Sequence, residues 1–155
     1  MPRILITDDS SYQRALLRNL LEPYGEISEA AGGKEACRLF AQALDRGRPF
    51  DLALMDILMP GMDGHSALRL FIDIQDQAGI AAEDRVKVIM VSSMDDPANM
   101  MQAQYGEGAA AYVTKPYDQA LLVEVLRGLD VIDNPLDMEV GEVGEDGEGG
   151  EDRGA

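Results

Sequence analysis

Five side chains carry the chemistry this sequence can offer: the carboxylates of Asp8, Asp9 and Asp56, the Ser92 hydroxyl and the Lys115 ammonium. Each stands at the end of a short apolar run: 3–7 before Asp8-Asp9, 52–55 before Asp56, 86–91 before Ser92, and 110–114 before Lys115. Carboxylates brought together repel one another unless a cation neutralises them. Oxygen donors of this kind suit Mg2+, which retains waters and shares a phosphate. An Asp beside such an ion can attack a phosphoryl group and form an aspartyl phosphate. Ser92 can donate to one phosphoryl oxygen and Lys115 can pair with another.

That chemistry requires the five groups to meet, and the surrounding pattern says how. Arg3 to Thr7 is apolar and β-branched and predicts a first strand, with Ser10 or Asp9 capping the helix that follows. Leu16, Leu17, Leu20, Leu21 and Tyr24 share one face of that helix, and Gly25 is expected to close it. A weak strand falls at 27–30. Gly32-Gly33 opens a second helix with Ala36, Leu39, Phe40, Ala43 and Leu44 on one stripe. Leu52 to Asp56 is the third strand and runs into the turn formers Pro60-Gly61 and Asp63-Gly64.

A third helix is expected from Gly64 to about Ala78, with Ala67, Leu68, Phe71 and Ile72 inward. After a fourth strand at 86–91 comes a weakly amphipathic fourth helix near 97–105, then a fifth strand at 110–114. A last helix starts at Asp118 with Leu121, Leu122, Val125, Leu126 and Leu129 inward. Five alternations of strand and helix predict a doubly wound α/β fold, a parallel sheet covered on both faces. The C-terminal ends of all its strands then lie at one edge, where the five reactive groups converge.

The 155 residues are read as one domain over 1–129 and a tail over 130–155. The net charge of −16 is uneven: the tail holds ten acids against Arg153, and the body still has 19 acids against 12 bases. Such a surface repels nucleic-acid phosphates and anionic membranes, so neither is an expected partner. From Asn134 onward Gly alternates with acids, a composition expected to stay disordered. Cys37 is the one cysteine, read as an inert thiol beside the apolar stripe, and suits a reducing compartment. The acids at the amino terminus do not read as a signal peptide, and no apolar run approaches the ~18 residues of a membrane helix. The expected location is the cytoplasm.

Asp8-Asp9, the segment from Asp56 to Gly64, the hydroxyl of Ser92 after strand four, and Lys115-Pro116 together resemble the receiver domains of two-component response regulators. The likeness is to the stand-alone, chemotaxis type and covers about residues 2–129. It implies a five-stranded parallel, flavodoxin-like sheet in the order 2-1-3-4-5. It implies Asp56 as phospho-acceptor, Asp9 as a direct Mg2+ ligand, Asp8 as a ligand mainly through water, and the Leu58 backbone carbonyl on the metal. Ser92 and Lys115 would hold the phosphoryl group, Tyr112 would be the aromatic that turns inward on activation, and Lys115-Pro116 would be cis. The implied donor is a histidine kinase or phosphotransfer protein, and the output is protein–protein contact through the fourth helix, fifth strand and last helix, with a homodimer through the same face. Ser92 stands where Thr is common, and 77–85 is long for the pattern.

Two other classes fit parts of the sequence. An aspartate-nucleophile phosphohydrolase needs a second Asp two residues after the nucleophile, and here that residue is Leu58. A non-phosphorylated binding module on the same fold has no need of all five groups. His65, the single histidine, is read as a surface residue, so a phosphoryl donor must come from outside the chain. The apolar Leu58 and Met94 flank the site and should hinder hydrolytic water.

Overall fold

The computed structural model describes residues 1–93 and 108–132. Strands β1 (Arg3–Thr7), β2 (Glu26–Ala30), β3 (Leu52–Asp56), β4 (Lys87–Ser93) and β5 (Ala111–Lys115) form one parallel sheet in the order β2-β1-β3-β4-β5. Four helices are described: α1 (Ser11–Leu21), α2 (Gly33–Asp45), α3 (Gly64–Ala78) and α4 (Gln119–Gly128). The doubly wound α/β reading and the strand order hold. The helix expected near 97–105, Met94 and the tail from 133 lie outside the described residues.

The alternation of side chains along each strand makes two cores. Leu5, Met55 and Met90 pack with Phe40 of α2 and Phe71 of α3 on one face, where the two rings stack at 4.1 Å. Ile4, Ile6, Leu54 and Ile89 pack with Leu17 of α1 and Leu122 and Leu126 of α4 on the other. A strand covered on both faces reads as an unbroken apolar run. β3 is such a strand, and all five of its residues are buried. Its terminal Asp56 pairs in register with Val91, one residue short of Ser92.

Caps set the helix starts: Ser10 accepts from the Gln13 N–H, Asp63 from Ser66 and Asp118 from Leu121. Buried Gln75 fastens α3 to Val86, the residue before β4. Its Nε2 donates to the Phe71 carbonyl at 3.1 Å, and its Oε1 accepts from the Val86 N–H at 2.9 Å.

Three expectations are corrected. Gly25 does not cap α1 in the left-handed region. The α-helix ends at Leu21 because Pro23 has no N–H to continue it, and a 3-10 turn over Glu22–Tyr24 follows. Gly25 is extended (φ −169°), and a Cβ there would lie 2.6 Å from Ile4 Cδ1, so close approach to β1 is what requires glycine. Leu121 is 40% exposed, because the buried arc of α4 runs over Leu122, Val123 and Leu126. His65 is buried at 4% exposure rather than on the surface; it continues the inward row of Leu68, Ile72 and Gln75 by one turn.

Candidate functional site

β1 and β3 are neighbours, so the residues at their C-terminal ends share one edge of the sheet. Asp8, Asp9 and Asp56 each offer a carboxylate oxygen within 4.8 Å of the other two. Asp8 and Asp56 are buried, and Asp9 faces solvent. Lys115, at the end of β5, reaches past β4 to place Nζ 3.4 Å from Asp8 Oδ2 and 3.7 Å from Asp56 Oδ2. The Lys115-Pro116 peptide bond is cis.

Asp8 is held at every polar atom. Its N–H donates to the Ala30 carbonyl at 3.2 Å, and its carbonyl accepts from Arg14 Nη1 at 2.8 Å. Oδ1 accepts from the Ser10 N–H at 2.9 Å, and Oδ2 accepts from Lys115. Asp56 has the opposite character. Burial, followed by the charge of Asp8, pushes its carboxyl up to about 6; Lys115 and the Leu58 backbone N–H pull the other way, and Asp9 adds to the rise. The ionised carboxylate is therefore costly in this position, and a cation or a covalent bond at its oxygen relieves that cost.

The donor set fits Mg2+: three hard carboxylate oxygens, one of them on an exposed side chain where the ion keeps waters. Thiol and imidazole ligands of softer metals are not in this cluster.

Ser92 is buried at the end of β4, where its hydroxyl donates to the Ser93 carbonyl at 3.2 Å. Tyr112 lies on β5 opposite Met90, packed against the α2–α3 core, and its buried hydroxyl has no hydrogen-bond partner among the described residues. Leu58 follows β3 by two residues, with its side chain 56% exposed beside the site. Burial lifts the Cys37 thiol to about 11, in keeping with an inert cysteine. The structure thus gathers Asp8, Asp9, Asp56 and Lys115 directly, with Ser92 on the strand between.

Sequence reasoning missed several residues that shape this edge. Gly64 opens α3, as expected, but a Cβ there would lie 2.5 Å from the Asp56 carbonyl oxygen, a close approach that the Asp-Gly pair does not encode. Tyr117, two after Lys115, sets its hydroxyl 3.5 Å from Gln13 Oε1. Burial, then the charges of Asp8 and Asp56, push its phenol up to about 12. Arg14 and Glu29 form an ion pair at 3.1 Å beside the Asp8 carbonyl. No spacing rule connects 14 with 29, which become neighbours only once β2 lies beside β1.

The profile described as "Response regulator receiver domain" matches residues 4–127. The chain is 33% identical over 131 residues to protein PilH of Pseudomonas aeruginosa, covering 83% of this chain and 98% of that one. It is 31% identical to the chemotaxis protein CheY of Thermotoga maritima, covering 80% and 93%. The receiver domain of the histidine kinase CKI1 from Arabidopsis thaliana, solved in complex with Mg2+, is similar with a TM-score of 0.70 and 30% identity over 83% of this chain and 91% of that one.

Proposed function

The chain belongs to the response regulator receiver domain family, and on that footing we propose that it is a stand-alone phosphorylation switch of a two-component pathway. The observation that carries this reading is Asp56 itself. It is a buried carboxylate at the tip of a fully buried strand, lifted to about 6, with the Lys115 ammonium 3.7 Å away.

In this reading a histidine kinase or phosphotransfer protein presents a phosphohistidine. An Asp56 oxygen attacks phosphorus; the O–P bond forms as the N–P bond breaks, and the imidazole leaves with the electron pair and takes up a proton. Lys115 pairs with one phosphoryl oxygen, and Ser92 turns its hydroxyl from the Ser93 carbonyl to another. Receiver domains generally bind Mg2+ at an acidic pocket; here Asp8, Asp9, Asp56 and the Leu58 carbonyl would hold it, and when bound it neutralises charge on the transferring oxygens. The chain promotes only its own phosphorylation and dephosphorylation.

The new group adds a charge of about −1.5 to −2. Ser92 and Lys115 move to meet it, and Tyr112, whose hydroxyl has no hydrogen bond to lose among the described residues, turns into the space released. This is a shift between two packings, read out by a protein effector at β5 and α4 together with the segment 97–105, and by a homodimer through the same face. Residues 1–129 form the switch and 130–155 an acidic appendage, and the setting is cytoplasmic.

The test is incubation with an acyl phosphate and Mg2+, read by intact-protein mass spectrometry. The unaltered chain gains one phosphoryl group and Asp56→Asn gains none; full labelling of that variant would overturn the reading. A pull-down with and without beryllofluoride then reports the effector.

A further inference from the structure

We propose that Arg14 is a positioning residue for the acidic pocket: it ties the Asp8 backbone carbonyl to Glu29 on β2 and so holds the turn that carries Asp8 and Asp9. The proposal rests on the receiver reading and assigns that reading a residue remote from phosphorus.

Helix energetics do not account for Arg14. It lies in the first turn of α1, a turn with no acid, and a cation at a helix N-terminus opposes the macrodipole. The surroundings account for it instead. Arg14 Nη1 donates to the Asp8 carbonyl at 2.8 Å, while Nε donates to Glu29 Oε1 at 3.1 Å. The guanidinium is mostly covered. Glu29 is fixed from its other oxygen by Arg18 Nε at 2.5 Å, and that bond foremost holds the Glu29 carboxyl below the usual range. The result is a chain of contacts from α1 through β2 back to the peptide that joins Asp8 to Asp9.

That peptide is under load. Three carboxylates within 4.8 Å repel one another, and Asp9 is the exposed member of the three. The Asp8 side chain is already engaged at both oxygens, so the remaining way for the turn to open is rotation of its backbone carbonyl. The Arg14 fork blocks that rotation. A planar guanidinium can donate to a carbonyl and a carboxylate at once, which a single ammonium on a flexible stem does poorly.

Charge and positioning predict opposite signs, which makes the idea decidable. If Arg14 acts only through its charge, removing it makes the pocket more negative and Mg2+ binds more tightly. If it positions the turn, binding weakens, on the scale of about tenfold seen when a group that orients a ligand is lost. The experiment is calorimetric titration of Mg2+ into the full chain, Arg14→Met and Arg14→Lys, well below the melting temperature of each. Weaker binding by both variants is expected, with Lys failing to restore the unaltered affinity. Unchanged or tighter binding by Arg14→Met, or full affinity in Arg14→Lys, would overturn the proposal. If Arg14→Met does not fold, Arg14→Lys decides alone. A lower melting temperature with unchanged affinity would mark a merely structural role and overturn it too. No Mg2+ binding by the unaltered chain would remove the receiver reading, and this proposal with it.

Discussion

Lys115 Nζ lies 3.7 Å from Asp56 Oδ2 although their strands, β5 and β3, are separated by β4. The lysine spans the width of a strand to reach Asp56, and it is the group that most lowers the carboxyl there. Replacing it with methionine should therefore move the Asp56 titration, followed by carboxyl 13C NMR in metal-free buffer, to a midpoint above about 6. A midpoint that stays put would mean the pair is not coupled. Phosphoryl transfer should slow in the same variant.

Stability should depend on pH through the same residue. Asp56 is raised in the folded state from 3.8 to about 6, so its ionisation counts against folding. The penalty is absent below the unfolded value, grows across the interval between the two, and is complete above the folded value. In chelator at pH 7, Asp56→Asn should therefore be more stable, by on the order of 2 kcal/mol or roughly 5 °C in Tm. The gain should vanish below pH 4. Added Mg2+ should narrow it at pH 7, because the unaltered chain alone retains the complete ligand set.

Gly64 offers a test of the backbone around Asp56. A Cβ would lie 2.5 Å from the Asp56 carbonyl oxygen and 2.9 Å from Ile57 Cα, and neither can yield without moving β3. Gly64→Ala should cost about 1–3 kcal/mol in urea unfolding and slow phosphorylation with every site residue present. Gly79, left-handed at the end of α3 in open space, is the comparison. Its alanine variant should cost about 1 kcal/mol and leave the rate unchanged.

Leu58 bears on how long the phosphoryl group survives. Its exposed side chain stands two residues after Asp56 as an apolar flank, which in the proposed aspartyl phosphate would hinder water from lining up behind the O–P bond. Leu58→Asn should shorten the lifetime of the aspartyl phosphate several-fold, measured by loss of the mass shift over time. An unchanged lifetime would count against this role.

Much of this was readable from residue order because strand ends are punctuated. Each apolar run stops at the residue that matters, and one sheet edge then collects them. The strands were placed to within two residues, the largest miss being β4, which runs on to Ser93, and the Asp8, Asp9, Asp56 and Lys115 set meets as the alternation required. What escaped depends on contacts between elements. Pro23 ended α1 one turn before Gly25, and the need for glycine at 25 comes from Ile4 on β1. His65 went inside because α3 extends its buried row to its first turn, where a polar residue had suggested solvent. Arg14 and Glu29 meet through strand pairing, which no local pattern encodes.

The Gln75 amide bears on how this chain tolerates its long 77–85 segment. By grasping the Phe71 carbonyl and the Val86 N–H with one side chain, it fastens the far side of that crossover before the loop begins. Residues can accordingly be inserted or deleted within the loop while Ser92, six positions downstream of the clasp, keeps its alignment with Asp56. Evolution is left free to remodel that bottom rim as a recognition feature without disturbing the carboxylate cluster at the rim opposite.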